Sequence, residues 1–223
     1  MERQSPGIVN GYESNAGFLS WDSFENQLPS AFTLGGILLV ASVFVPVGLA
    51  VVTEWSWASG LVLVGLGVVA MAVGLLGMYP QVRDQAPWIS RIGILCATVA
   101  GVAAVGLIVL VGTAVTATVT LGTALPKPMG VFQVLALSMA SGLSLGFVLF
   151  GVARVRTDGS SDTPGRLLIG GGVLPLVPVV GELLRIVIGL GPPLWVLFVA
   201  LGVVALDALA VGYSLRSAST PAR

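Results

Sequence analysis

The 223-residue chain is 56% hydrophobic and 9% charged, with a formal net charge of zero and a mean hydropathy of +1.01. An ordinary soluble domain carries about 25% charged residues, so ten acids and ten bases cannot cover a water-exposed surface of this size. Zero net charge gives no basic face for nucleic acid, and the absence of histidine removes imidazole-held haem, the usual zinc sites, Ser-His hydrolysis and histidine proton relays.

Residues 1–30 begin polar and turn amphipathic. No basic stretch runs directly into an apolar one at the start, so no cleavable signal peptide is read. Ser14 or Asn15 caps a short helix in this reading, with Phe18, Trp21, Phe24 or Glu25, and Leu28 near one face and Pro29 ending it. Such a helix lies in the membrane interface, its aromatics at headgroup level; the alternative is a loosely ordered tail. Six apolar segments follow, at about 31–53, 58–78, 92–121, 129–152, 167–190 and 194–214. Each is long enough to cross roughly 30 Å of hydrocarbon at about 1.5 Å per residue. Backbone groups cannot go unpaired in lipid, so all six are predicted as helices. The fold expected is an all-α, polytopic membrane bundle of six transmembrane helices over residues 31–215, with a C-terminal tail at 216–223.

The bases orient it. Arg3, Arg83, Arg91, Arg154, Arg156, Arg166, Arg216 and Arg223 fall on one side, only Lys127 on the other, and Arg185 within a segment. The positive-inside rule predicts both termini in the cytoplasm. Trp55, Trp57 and Trp195 at outer ends and Tyr79, Trp88 and Tyr213 at inner ends suit an interfacial aromatic belt. Short outer connections, including Gly191-Pro192-Pro193, make three hairpins, and a weak recurrence of Gly, Arg and Pro after each suggests a repeat.

Small residues recur three or four apart: Ala70 and Gly74; Ala97, Gly101 and Ala104; Ser138, Gly142 and Gly146; Ala208 and Gly212. That spacing lets helix backbones approach closely, inside one bundle or against a second copy or another membrane protein. Thr113, Thr116, Thr120 and Thr123 form one stripe, with Gln133 and Ser138 at similar depth on the next segment. They either line a polar cavity or bond back to their own helix carbonyls.

The fifth segment carries Pro175, Pro178, Glu182 and Arg185. Pro175 and Pro178 free the carbonyls of Gly171 and Leu174, so a kink or break is predicted there. Glu182 would then open a second half-helix, where the dipole favours an anion, as at transporter binding sites. The alternative is a structural Glu182–Arg185 pair at i, i+3. Asp207 lies deep in the sixth segment, too far from Glu182 for a carboxylate dyad, and is read as an intramembrane functional acid or as a neutral one bonded to Ser141 or Ser144.

No phosphate-binding, dinucleotide, zinc-hydrolase or nucleophile-elbow motif occurs, and Cys96 is the only cysteine. No catalytic, metal or cofactor site is therefore expected. Gly74-Leu-Leu-Gly-Met-Tyr-Pro80 followed by Arg83, Pro87 and Arg91-Ile-Gly93, and Leu145-Gly-Phe-Val-Leu-Phe-Gly151 followed by Arg154, resemble small, uncharacterised six-helix membrane proteins of archaeal type. The resemblance implies no activity. The leading expectation is a non-enzymatic protein that scaffolds, assembles or senses through helix contacts. The rival is a small transporter or channel-like protein using Glu182, Arg185 and Asp207 around a proline-broken fifth helix, with Thr116 and Thr120 as further candidate residues of the intramembrane polar site.

Overall fold

Hydrocarbon offers the backbone no hydrogen-bond partner but itself, and every described element is a helix. The computed structural model describes residues 21–49, 56–122, 129–158, 162–189 and 194–219. The expected cap at Ser14 or Asn15, the connections holding Trp55, Thr123, Lys127, Pro192 and Pro193, and the last four residues lie outside them. In chain order the helices are α1 (Trp21–Leu49), α2 (Ser56–Gly77), the one-turn α3 (Tyr79–Val82), α4 (Pro87–Leu121), α5 (Met129–Asp158), α6 (Thr163–Ile188) and α7 (Leu194–Ser219). All but α3 contain a stretch long and apolar enough to cross a membrane, and no strand occurs among the described residues.

Two boundaries differ from the sequence reading. α1 runs through Pro29 without interruption, so Pro29 does not end a separate interfacial helix. A proline costs its helix one hydrogen bond, but here the flanking Leu28 and Phe32 are both buried, and the Thr33 hydroxyl donates to the Pro29 carbonyl at 2.7 Å. α4 begins at Pro87 rather than near residue 92, because a proline in a helix's first turn forfeits no bond. Its 35 residues span about 52 Å, well beyond the hydrocarbon thickness. The extra turns carry exposed Trp88, with the Arg91 guanidinium 5.7 Å from its ring centre. The other end closes at Gly122, whose φ of +63° suits a residue without Cβ.

The membrane helices pack in sequence order, α1 on α2, α2 on α4, α4 on α5, α5 on α6 and α6 on α7, and α7 returns to α1. The result is a closed ring of three antiparallel hairpins. Its centre is solid. Phe32, Met71, Leu75 and Phe147 are fully buried there, and the Phe32 and Phe147 rings meet across it at 6.0 Å and 59°, a tilted arrangement worth about 0.5–1.5 kcal/mol beyond burial.

This core sits toward the end where α1 begins and α7 finishes, here called the arginine end because Arg83, Arg91, Arg154, Arg156, Arg166 and Arg216 gather there. Among the described residues, burial stops at Val111 on α4 and Val179 on α6, and starts only at Met139 on α5 and Val204 on α7. Small residues seal the ring's seams. A methyl at Gly67 would meet the Gly35 carbonyl between α1 and α2, one at Gly142 the Cys96 carbonyl between α4 and α5, and one at Gly212 the Pro29 carbonyl between α7 and α1. With lipid as the surrounding solvent, such close approach supplies the packing attraction that water would otherwise drive.

Candidate intramembrane polar site

α6 carries or touches most of the polar groups, and its entry explains its placement. Asp162 precedes Pro164 and Gly165, and its carboxylate accepts from the Gly165 N–H at 2.7 Å, capping the helix. The same carboxylate receives Arg154 Nε from the end of α5 at 3.2 and 3.0 Å. Arg154 Nη1 also donates to Gln81 Oε1 of α3 at 3.1 Å. The pair is well shielded, with side-chain exposures of 14% and 7%, so three elements are tied together at the arginine end. This cluster was absent from the sequence reading, although Asp-Thr-Pro-Gly is a recognisable helix-start signal.

α6 then runs unbroken from Thr163 to Ile188, with Pro175 and Pro178 inside it. The predicted discontinuity does not occur. The prolines withdraw two N–H groups, but the neighbouring turns are held against α5 and α7, where Gly172 meets the backbone of Ser144 and Val148, and Gly171 meets Asp207. Glu182 therefore lies within a continuous helix rather than at the start of a half-helix.

Glu182 and Arg185 form the predicted pair. Arg185 Nε donates to Glu182 Oε2 at 2.8 Å, and Arg185 Nη2 donates to Oε1. Gln133 of α5 completes the group, its Nε2 donating to Glu182 Oε1 at 3.2 Å. The Glu182 carboxylate is thus bonded through both oxygens, across the α5–α6 seam. Arg185 stays half exposed toward the hairpin end, its side chain at 46%.

Asp207 stands apart. It lies against Gly171, eleven residues before Glu182 on α6, or about 16 Å along the helix. Its Oδ2 is buried and has no hydrogen-bond partner. Neither Ser141 nor Ser144 serves it, because both belong to α5, and α6 stands between α5 and α7 in the ring. Ser141 instead donates to the Leu137 carbonyl at 2.6 Å.

The threonines do not line the ring's interior. Thr113, Thr116 and Thr120 are exposed on the outward stripe of α4 that continues Val102, Val105 and Val109. Each hydroxyl bonds back to its own helix, to Leu110 at 3.0 Å, Gly112 at 2.9 Å and Thr116 at 2.8 Å. With Val109, Gly112 and Ala117 they border a shallow groove of about 520 Å³. Thus Glu182, Arg185 and Gln133 come together, while Asp207, Thr116 and Thr120 lie elsewhere.

Fold and site define a polytopic membrane helix bundle with, among the described residues, the Glu182–Arg185–Gln133 group and the separate Asp207 inside its spans. Comparison of the chain with protein-family models, curated proteins and solved structures finds no match. The archaeal-type resemblance accordingly rests on its short motifs alone, and what stands of it is the membrane class.

Proposed function

We propose that this chain is a multi-pass protein of the cell membrane, with both termini cytoplasmic, that acts without catalysis as a scaffold, assembly or sensing element through helix contacts in the bilayer. The orientation rests on the arginine imbalance. One observation carries the functional reading: the ring centre is filled by Phe32, Met71, Leu75 and Phe147, which supports contact rather than passage as its mode of action. The groove on α4 is a surface suited to such contact. Gly112, Thr116 and Thr120 repeat there every four residues and face outward, the spacing at which a second helix approaches closely. A second copy, or another membrane protein, fits that surface.

The test uses crosslinking in native membrane vesicles. The wild type is expected to form a discrete crosslinked assembly, and Gly112→Leu with Thr116→Leu to abolish it without changing thermal stability. A wild type that remains monomeric, or an assembly indifferent to both changes, would overturn the reading.

Asp207 favours a second reading, transport of a small solute. An acid within a membrane span with one oxygen unpaired is a default functional candidate. In proteoliposomes, Glu182→Gln and Asp207→Asn would each abolish flux while leaving the protein folded; flux unchanged in both variants would refute this alternative.

A further inference from the structure

We propose that Asp207 is a proton-binding site that latches α6 to α7: its neutral carboxyl donates to the main-chain carbonyl of Gly171, which Pro175 leaves without a helical partner. Two orphaned polar groups meet at this point. In a continuous helix the carbonyl of residue 171 accepts from the N–H of residue 175, and proline has none. On the facing helix, Asp207 Oδ2 is buried with no donor. The two belong to touching residues, because the Asp207 carboxyl presses on Gly171 so closely that a methyl group there would overlap it. One proton on Asp207 satisfies both, whereas an ionised Oδ2 would leave a bare charge beside a CH₂ group and a carbonyl lone pair. Gly171 is then the residue that admits the carboxyl, and Pro175 the one that gives it an acceptor.

Among the described residues, no charged group lies near Asp207 along the helices packed against it; on α1 the acids Asp22 and Glu25 stand before Leu28, toward the arginine end. α1, which packs on the other side of α7, has no titratable residue between Leu28 and Leu49. On α6 the nearest charged residues are Arg166 and Glu182, five and eleven positions from Gly171, or about 8 and 16 Å along the helix. Glu182 is already engaged by Arg185 and Gln133. On α7 the nearest is Arg216, nine positions on, about 13 Å away. A metal ion would require several more oxygens than the carboxyl and a freed carbonyl provide, whereas a proton requires one donor and one acceptor. The proposal is independent of both functional readings, since such a latch serves a scaffold or a transporter equally.

Infrared spectroscopy of the full chain in lipid vesicles near neutral pH tests it. Asp207 is the only aspartate inside a membrane span; Asp22, Asp84, Asp158 and Asp162 lie outside all six. Aspartate labelled at the carboxyl carbon should therefore reveal a hydrogen-bonded carboxylic-acid band in the wild type, with no variant needed. That band should vanish in Asp207→Asn. In Pro175→Ala, where a restored N–H competes for the Gly171 carbonyl, it should shift toward the frequency of a weakly bonded acid. Raising the pH should remove the band and lower the amide protection factors (exchange corrected for its intrinsic pH dependence) around residues 168–179 and 204–211 in the wild type. Asp207→Asn, whose amide donates at every pH, should remain protected. No acid band in the labelled wild type, a band unmoved in Pro175→Ala, or protection that falls equally in wild type and Asp207→Asn would each overturn the proposal.

Discussion

Asp162 shows how much one side chain does at the arginine end. It caps α6 through the Gly165 N–H and holds Arg154, which also reaches Gln81. Two substitutions separate these roles. Asp162→Asn keeps an oxygen for the cap and loses the ion pair, and is expected to cost about 1.5–3 kcal/mol, the range for a hydrogen bond to a charge. Asp162→Ala loses the cap as well, adding about 1 kcal/mol. Equilibrium unfolding in mixed micelles reads both; equal losses would mean that the cap contributes nothing. The same scale separates groups that look alike in sequence. Glu182 and Asp207 are both acids within apolar segments, yet Glu182 is bonded through both oxygens while Asp207 has one that meets no donor. The Glu182–Arg185 pair was legible because i, i+3 spacing places both on one face. Gln133 as their partner was not, because nothing local relates residues 49 positions apart.

At the scale of elements, proline and glycine behave differently from what local chemistry predicts. Pro29, Pro46, Pro175 and Pro178 all lie inside unbroken helices. In water a freed carbonyl gains a new partner and the helix tends to end; in hydrocarbon the helix remains the best available state, and neighbouring helices hold it in place. The glycines matter between helices instead. Gly142 faces the Cys96 carbonyl and Ala100 on α4, where a Cβ would sit 2.8 Å from that oxygen. Backbone cannot yield as a side chain can, so Gly142→Leu should force α4 and α5 apart at a cost of about 3 kcal/mol, read as a lowered midpoint in the same unfolding assay. Because Gly142 is interior, this change reports on folding and not on assembly. Contact between copies is tested properly on the outward stripe at Gly112 and Thr116.

At the scale of the whole molecule, closure of the ring decides what lies inside. α7 packing on α1 gives every membrane helix at least two neighbours, α2 and α5 also touch across the bundle, and the aromatic pair Phe32–Phe147 fills the middle. Phe32→Ala should remove that contact and open a void that lipid cannot enter, costing about 3–5 kcal/mol. If instead the ring enclosed an open passage, the loss would be small and the unfolding midpoint nearly unchanged. Along α4 to α7 the concentration of buried residues toward the arginine end also leaves the hairpin end the looser half, which is where Glu182, Arg185 and Gln133 supply a polar tie between α5 and α6.

The sequence alone determined the class, the number of spans and the end at which the arginines gather, because hydrocarbon demands paired backbones, apolar length and charges kept to the ends. Those demands act on each segment separately and so can be read from each segment. It also indicated that small residues would lie at helix contacts, and it offered the Glu182–Arg185 pair as one of two readings. Only the tertiary structure decided which face of each helix looks inward. Helical periodicity places Thr113, Thr116 and Thr120 on one stripe, but whether that stripe meets the core or the outside depends on where α2 and α5 stand around α4. The same holds for Asp207. Its neighbour is Gly171 rather than a serine because the ring places α6, and not α5, beside α7.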